Sequence, residues 1–235
     1  MSVMRRLKNV VRGQGIAAIP AKMASALYDR AFECRHGLET LAIEKLDGLT
    51  IRVGERTQGF YYEGMRMLPL RRLFAELRHL VPPDAALVDL GCGKGKVLLA
   101  AAEAGVAKIR GVEFAHELCE QARVNWAAFQ SRTAVSAVVD VIESDAGVYP
   151  IQPDESLFFL FNPFNEVVLD RVLTNVSTSV VAHPRRVYIA AAYLSERYRR
   201  VFAAHPEYAL DREVKSWGCR FTIYAMGPVA VDAER

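Results

Sequence analysis

The stretch Asp89-Leu90-Gly91-Cys92-Gly93-Lys94-Gly95-Lys96 holds the densest chemistry in the chain. Its three alternating glycines stand between a short apolar run at 87–90 and a run at 97–104 that reads as a helix. Glycine is needed where the backbone takes positive φ or lies against a ligand that a Cβ would block. In open α/β sheets ligands bind at the carboxyl ends of strands, so this loop predicts a nucleotide-like cofactor. Three further segments carry polar groups at the ends of predicted strands: Gly111-Val112-Glu113-Phe114, Glu143-Ser144-Asp145-Ala146 and Phe161-Asn162-Pro163-Phe164. A carboxylate about twenty residues beyond a glycine loop, as Glu113 is, can accept two hydrogen bonds from a ribose diol.

Three cofactors compete for the loop. A phosphate-gripping loop of the Gly-x-x-x-x-Gly-Lys-Ser/Thr type fits Gly95-Lys96, but Leu90 stands where its first glycine belongs and Val97 where its hydroxyl belongs. A dinucleotide fingerprint, Gly-x-Gly-x-x-Gly, matches Gly91 and Gly93 and meets Lys96 at the third glycine. NAD or FAD therefore stays open in second place.

The third reading rests on family resemblance. The segment from Asp89 to Gly95 resembles motif I of class I S-adenosylmethionine-dependent methyltransferases. The resemblance implies that Asp89 serves the amino-acid moiety of S-adenosyl-L-methionine, while Gly91, Cys92, Gly93 and Gly95 pass beneath its methionine and ribose portions. It also implies that Glu113, followed by Phe114, takes the ribose. Asp145 would accept from the adenine amino group and Ala146 offer its backbone amide to the ring. The loop Gln58-Gly59-Phe60-Tyr61-Tyr62-Glu63-Gly64 lies in the region that often closes over the cofactor in such proteins, which makes Tyr62 a cofactor contact; a purely structural loop is the equal alternative. Asn162-Pro163-Phe164 resembles the Asn/Asp-Pro-Pro-Tyr/Phe motif of amino-group methyltransferases, where the Asn side chain and Pro carbonyl accept from the target amine. Phe164 replaces the second proline and Asn165 the aromatic, which puts a flipped adenine target in doubt. The chain is similar to a poorly characterised bacterial group with Phe-Asn-Pro-Phe at this point, and more distantly to class I-type histone lysine methyltransferases.

The expected activity is methyl transfer to an amine nitrogen of a small molecule or protein side chain. Asn162, Pro163 and Phe164 are its catalytic candidates, Asn162 being expected to contact the cofactor as well, with Phe164 offering a face to a cation. A catalytically silent S-adenosylmethionine-binding regulatory subunit and an NAD(P)-linked oxidoreductase are the alternatives. His36, near a predicted helix end, is a candidate general base, and the segment 32–37 a candidate pocket wall; a structural histidine is the commoner outcome.

The elements that must position these groups alternate. Strands are predicted at 87–90, 109–112, 138–142, 157–161 and 187–192, helices at 97–104, 116–129, 167–176 and 195–204, and a closing hairpin at 210–215 and 220–226 turning through Trp217-Gly218. This pattern predicts a Rossmann-like three-layer α/β/α sandwich: a mostly parallel seven-stranded sheet with one antiparallel strand. Residues 1–80 read as a helical N-terminal cap and 81–235 as the cofactor-binding domain. In the cap, helical spacing over 22–46 predicts Ala26, Leu27, Ala31, Leu38, Leu41 and Leu46 as buried, and Pro69 opens a helix reaching Leu80.

Composition sets outer bounds. At 235 residues and 51% hydrophobic, the chain can bury one sizeable core without a disulfide or metal staple. A net charge of +3 gives little support to nucleic-acid binding. Cys34, Cys92, Cys119 and Cys219 have no metal-ligand spacing, so no metal is expected and the thiols suit a reducing cytoplasm. The basic start (Arg5, Arg6, Lys8, Arg12) runs into Gly13, Gly15 and Pro20, so neither a signal peptide nor a membrane span is expected.

Overall fold

The computed structural model describes residues 18–80 and 82–228; the basic N-terminal arm falls outside them. Seven strands, β1 (Ala86–Leu90), β2 (Lys108–Glu113), β3 (Val138–Glu143), β4 (Glu155–Leu160), β5 (Val187–Ala192), β6 (Ala209–Ser216) and β7 (Cys219–Met226), form one sheet in the order 3-2-1-4-5-7-6. β7 is antiparallel to both its neighbours and every other pairing is parallel. The order reverses between β1 and β4, which opens a crevice at their carboxyl ends.

Among the described residues six α-helices accompany the sheet: α1 (Ala18–His36), α2 (Met67–Leu77), α3 (Lys96–Glu103), α4 (His116–Gln130), α5 (Glu166–Ala182) and α6 (Glu196–Ala204). The period-2 alternation of the strands divides the core. Leu87, Leu157 and Phe159 point to the face covered by α1, α2 and α3, whereas Val88, Phe158 and Leu160 point to the face covered by α5 and α6. Both faces of β4 are buried, which is why it reads as an unbroken apolar run instead of alternating. Side-chain caps start two helices: Asn165 accepts from the amides of Val167 and Val168 at the head of α5, and Ser195 from that of Tyr198 at the head of α6. The β6–β7 turn has positive φ at both Trp217 (50°) and Gly218 (75°), the hand that matches the twist of a hairpin.

The cap departs from its expected pattern. α1 stops at His36, where Gly37 takes φ +64°. Leu27 is 69% exposed and Ala31 is exposed as well, while Leu38, Leu41 and Leu46 lie beyond the helix and are half-buried. The buried face is instead Ser25, Asp29, Phe32 and His36. Within this stripe Asp29 finds partners distant in sequence, accepting from the Met67 amide (2.9 Å) and from Arg66 (3.0 Å). α2 ends at Leu77, three residues earlier than expected. Phe32, Met67, Leu70 and Phe74 belong to the same core as the sheet, so the cap and the sheet share one apolar interior.

No described helix is long and apolar enough to cross a membrane. The ring of Phe158 has no exposed surface and sits at the centre of the α5 side of the core. Phe158→Ala should cost about 3–5 kcal/mol, read as a lower urea midpoint at unchanged m value.

Candidate functional site

A cleft of about 780 Å³ opens at the carboxyl ends of β1, β2, β3 and β4, within the range of small-molecule sites. Asp89, Gly91, Cys92, Glu113, Phe114, Asp145 and Ala146 line it, as do Tyr62, Asn162, Pro163 and Phe164. The topology thus gathers residues spread over a hundred positions of sequence. Gly93 and Gly95 are not on the wall: Gly95 caps α3 at φ +82°, and Gly93, at φ +52°, lies under the Tyr62 ring, where an added Cβ would come within 2.2 Å of the ring carbons. A Cβ on Gly91 would similarly meet Pro163. These glycines are required for close approach of the protein's own side chains.

Glu113 organises the loop. Its buried carboxylate accepts from the amides of Gly93 (2.9 Å), Phe114 (3.0 Å) and Ala115 (3.0 Å), tying the glycine loop to the turn after β2. Burial pushes its pKa above the usual carboxylate range even though the three amides pull it down. Asp89 is 2% exposed, its Oδ2 has no hydrogen-bond partner, and burial together with the Glu113 charge holds its pKa well above the ordinary value. Cys92 lies between them; burial and both carboxylates push its thiol up, which leaves it a packing group and not a nucleophile. Asp145 accepts from the Gly147 amide through Oδ1 (2.7 Å) and presses Oδ2 against Gly54.

The irregular segment 38–64 is a strap across these strand ends. Its Thr50 carbonyl accepts from His116 N after β2 (3.0 Å), Gly54 abuts Asp145 after β3, and Gln58 O accepts from Asn165 N after β4 (2.8 Å). Tyr62 pairs with Glu44 through the backbone and donates its hydroxyl proton to Thr40 O (2.8 Å). Both Tyr61 and Tyr62 line the cleft because the strap is irregular, Tyr62 packed inward on Gly93 and Tyr61 exposed at the mouth.

At the end of β4, Asn162 takes φ 45°, a strained value for a residue with a side chain. Its Nδ2 donates to Tyr193 O (3.3 Å), which leaves Oδ1 as an open acceptor on the cleft wall. The Pro163 carbonyl already accepts from Phe60 N (3.3 Å). Phe164 is 6% exposed and stacks on Tyr198, whose hydroxyl donates to the Phe164 carbonyl (2.8 Å), so this ring is core packing and not an open face for a cation. His36 is corrected too: it lies between the rings of Phe32 and Phe129, outside the cleft, and of the 32–37 segment no residue lines it. α1 contributes Lys22 and Ser25 instead.

Sequence reasoning missed the wall formed by Ser25, Arg66, Lys96, Tyr193, Trp217 and Cys219. Tyr193 and Trp217 share φ 50°, so all three described non-glycine residues with positive φ border this one cleft. No local sequence signal marks Tyr193; the turn signal at Trp217-Gly218 was legible but not its place at the site. Among the described residues no cluster of His, Cys, Asp or Glu could hold a metal ion.

No protein-family model and no curated protein sequence matches the chain. Solved structures do. The magnesium protoporphyrin IX methyltransferase of Synechocystis PCC 6803, with bound S-adenosylmethionine, is 11% identical over 68% of this chain and 79% of its own, at a TM-score of 0.51. An RNA methyltransferase from Salinibacter ruber in complex with S-adenosyl-L-homocysteine is 21% identical over 71% of this chain and 97% of its own (TM-score 0.46). The ribosomal protein L11 methylase of Lactobacillus delbrueckii subsp. bulgaricus is 16% identical over 68% and 77% (TM-score 0.48). At these identities the likeness is one of fold, and the first structure carries it.

The two raised carboxyl pKa values give a pH dependence with a definite sign. Their contribution to stability is complete below the ordinary carboxylate range and is lost as pH rises through the raised, folded-state values. Asp89→Asn should therefore raise the ligand-free melting temperature at pH 8, by about 2–4 °C for about 1 kcal/mol in a chain this size, and flatten its decline with pH. A lower melting temperature for the Asn variant would contradict this account of Asp89.

Proposed function

We propose that the chain is an S-adenosylmethionine-dependent methyltransferase acting on an amine nitrogen of a small molecule or protein side chain. The observation that carries the reading is a single cleft joining a buried carboxylate oxygen without a partner, Asp89 Oδ2, to an open acceptor, Asn162 Oδ1, at the end of the adjacent strand β4. The polar groups at three successive strand ends suit the three parts of the cofactor. Asp89 would hold the amino group of its methionine end, Glu113 the ribose through the lone pair left on Oε2, and Asp145 with the Ala146 amide the adenine. When bound, the cofactor supplies a methyl group already activated by a sulfonium charge. The protein's part is then alignment and the exclusion of water. Asn162 Oδ1 accepts an amine N–H and turns the nitrogen lone pair toward the methyl, and its strained backbone is kept in register by the bond to Tyr193 O. The Pro163 carbonyl can join it with its second lone pair. The strap closes the water side, with Tyr62 at its centre.

On this reading residues 1–80 are the acceptor-side cap and 81–235 the cofactor domain. The sequence Phe161-Asn162-Pro163-Phe164 supports an amine acceptor through Asn162 and the Pro163 carbonyl, since the Phe164 ring packs on Tyr198.

Calorimetry with S-adenosylmethionine, S-adenosylhomocysteine and NAD tests the cofactor. Both sulfur ligands should bind and NAD should not, and Asp145→Ala should weaken both by about tenfold, about 1.4 kcal/mol. Tight NAD binding with no sulfur-ligand binding would overturn the reading in favour of an oxidoreductase. Radiolabelled methyl transfer to a panel of amines should then fall by about a hundredfold in kcat for Asn162→Ala, with cofactor affinity unchanged. Binding without transfer to any acceptor would mark a regulatory subunit.

A further inference from the structure

Two lysines flank Gly95, and they are treated differently. Lys94 is buried but fully paired, with its Nζ 2.7 Å from Glu39 and 3.0 Å from Glu44. Lys96 is equally buried, at 3% exposure, yet its Nζ makes no hydrogen bond. Its nearest carboxylate oxygen, Asp29 Oδ2, is 3.9 Å away and already engaged by Arg66 at 3.0 Å, while Oδ1 is taken by the Met67 amide. Glu33, the next carboxylate, accepts from the amide and hydroxyl of Thr40 through Oε1. On the same wall of the cleft, the Ser25 hydroxyl is 1% exposed and also without a partner.

Lys96 thus sits buried without a hydrogen bond beside a Ser25 hydroxyl that also lacks one, and both residues line the cleft together with Arg66. An ammonium held out of water without a hydrogen bond costs several kcal/mol, and a methionine would fill the same space without that cost. Burial lowers the Lys96 pKa and Arg66 adds to the effect, with Asp29 and Glu33 opposing it. An anion entering the cleft would relieve the mismatch by supplying acceptors to Lys96 Nζ, Ser25 Oγ and the donors of Arg66 not turned to Asp29.

We propose that Lys96, Ser25 and Arg66 dock an anionic group, a carboxylate or a phosphate, carried by the methyl acceptor, so that the acceptor is an amine that also bears an acidic group. The inference rests on the methyltransferase reading and narrows its substrate class. The wall stands over the ends of β4, β5 and β7, where Phe161, Tyr193 and Cys219 border it, on the opposite side of β1 from Glu113 and Asp145. Asn162, at the end of β4 beside β1, borders the same cleft.

The test is calorimetry of inorganic phosphate and of malonate against the protein, with and without saturating S-adenosylhomocysteine. Wild type should bind at least one of the two anions in both conditions; phosphate alone would point to a phosphoryl-bearing acceptor and malonate alone to a carboxylate-bearing one. Lys96→Met should bind the anion at least about tenfold more weakly, with unchanged S-adenosylhomocysteine affinity and a melting temperature no lower than wild type. Ser25→Ala, which removes one hydroxyl, should independently weaken the anion about threefold or more. The proposal is overturned if wild type binds neither anion, if both variants bind as wild type does, or if S-adenosylhomocysteine displaces the anion, because Lys96 would then belong to the cofactor's own carboxylate. A protein that binds an anion but no S-adenosylhomocysteine would fail the methyltransferase reading separately.

Discussion

The cleft exists because one buried carboxylate accepts from three backbone amides. Glu113 reaches back across the end of β2 to Gly93 N and closes on the amides of Phe114 and Ala115. Those bonds hold the β1–α3 loop beside the start of α4, and the loop's glycines at positive φ make the necessary turn without a Cβ in the way. With the loop in place, Tyr62 settles on Gly93 and Pro163 on Gly91. The strap and the end of β4 are then pinned to the same few atoms of backbone.

Charge is distributed unevenly around that frame. Two buried carboxylates, Asp89 and Glu113, crowd the side of the cleft near β1 and β2, and the Glu113 charge raises the cost of ionising Asp89. On the opposite side, Lys96 and Arg66 both face Asp29. Polar atoms without a hydrogen bond in a low-dielectric interior are expensive, and three of them, Asp89 Oδ2, Lys96 Nζ and Ser25 Oγ, belong to residues that border the cleft. The backbone tells the same story, since Asn162, Tyr193 and Trp217 adopt left-handed conformations on its rim. Stability sacrificed at a site is what a binding surface requires and what a purely structural groove lacks.

Much of this was legible in the residue order. The alternation of short apolar runs with helical periods was enough to predict the layered sheet, and the strand ends carried Asp89, Glu113, Asp145 and Asn162 in positions that only a shared cleft makes sensible. Local rules worked where local forces decide: the turn at Trp217-Gly218, the strand Val187–Ala192 and the glycine loop are all set by backbone geometry or by burial on both faces.

The failures share a cause. Helical periodicity assumes that apolar side chains face the core, and α1 reverses this, turning Asp29 and Ser25 inward and Leu27 outward. Nothing near Asp29 in sequence reveals that Arg66 and the Met67 amide will meet it. Phe164 has the composition of a substrate platform, but Tyr198, supplied by α6, makes it part of the core. Lys96 reads as the end of a glycine loop, and only the packing of α1 against it leaves its charge enclosed without a hydrogen bond, 3.9 Å from Asp29 Oδ2. Sequence by itself determined the layers, the strand ends and the side of the cleft at β1, β2 and β3, because these follow from periodicity and backbone freedom along a continuous stretch. The opposite side was decided by tertiary structure, because its groups come from α1, α3, the end of β5 and the β6–β7 hairpin, and their charges acquire meaning only when packing removes the water between them.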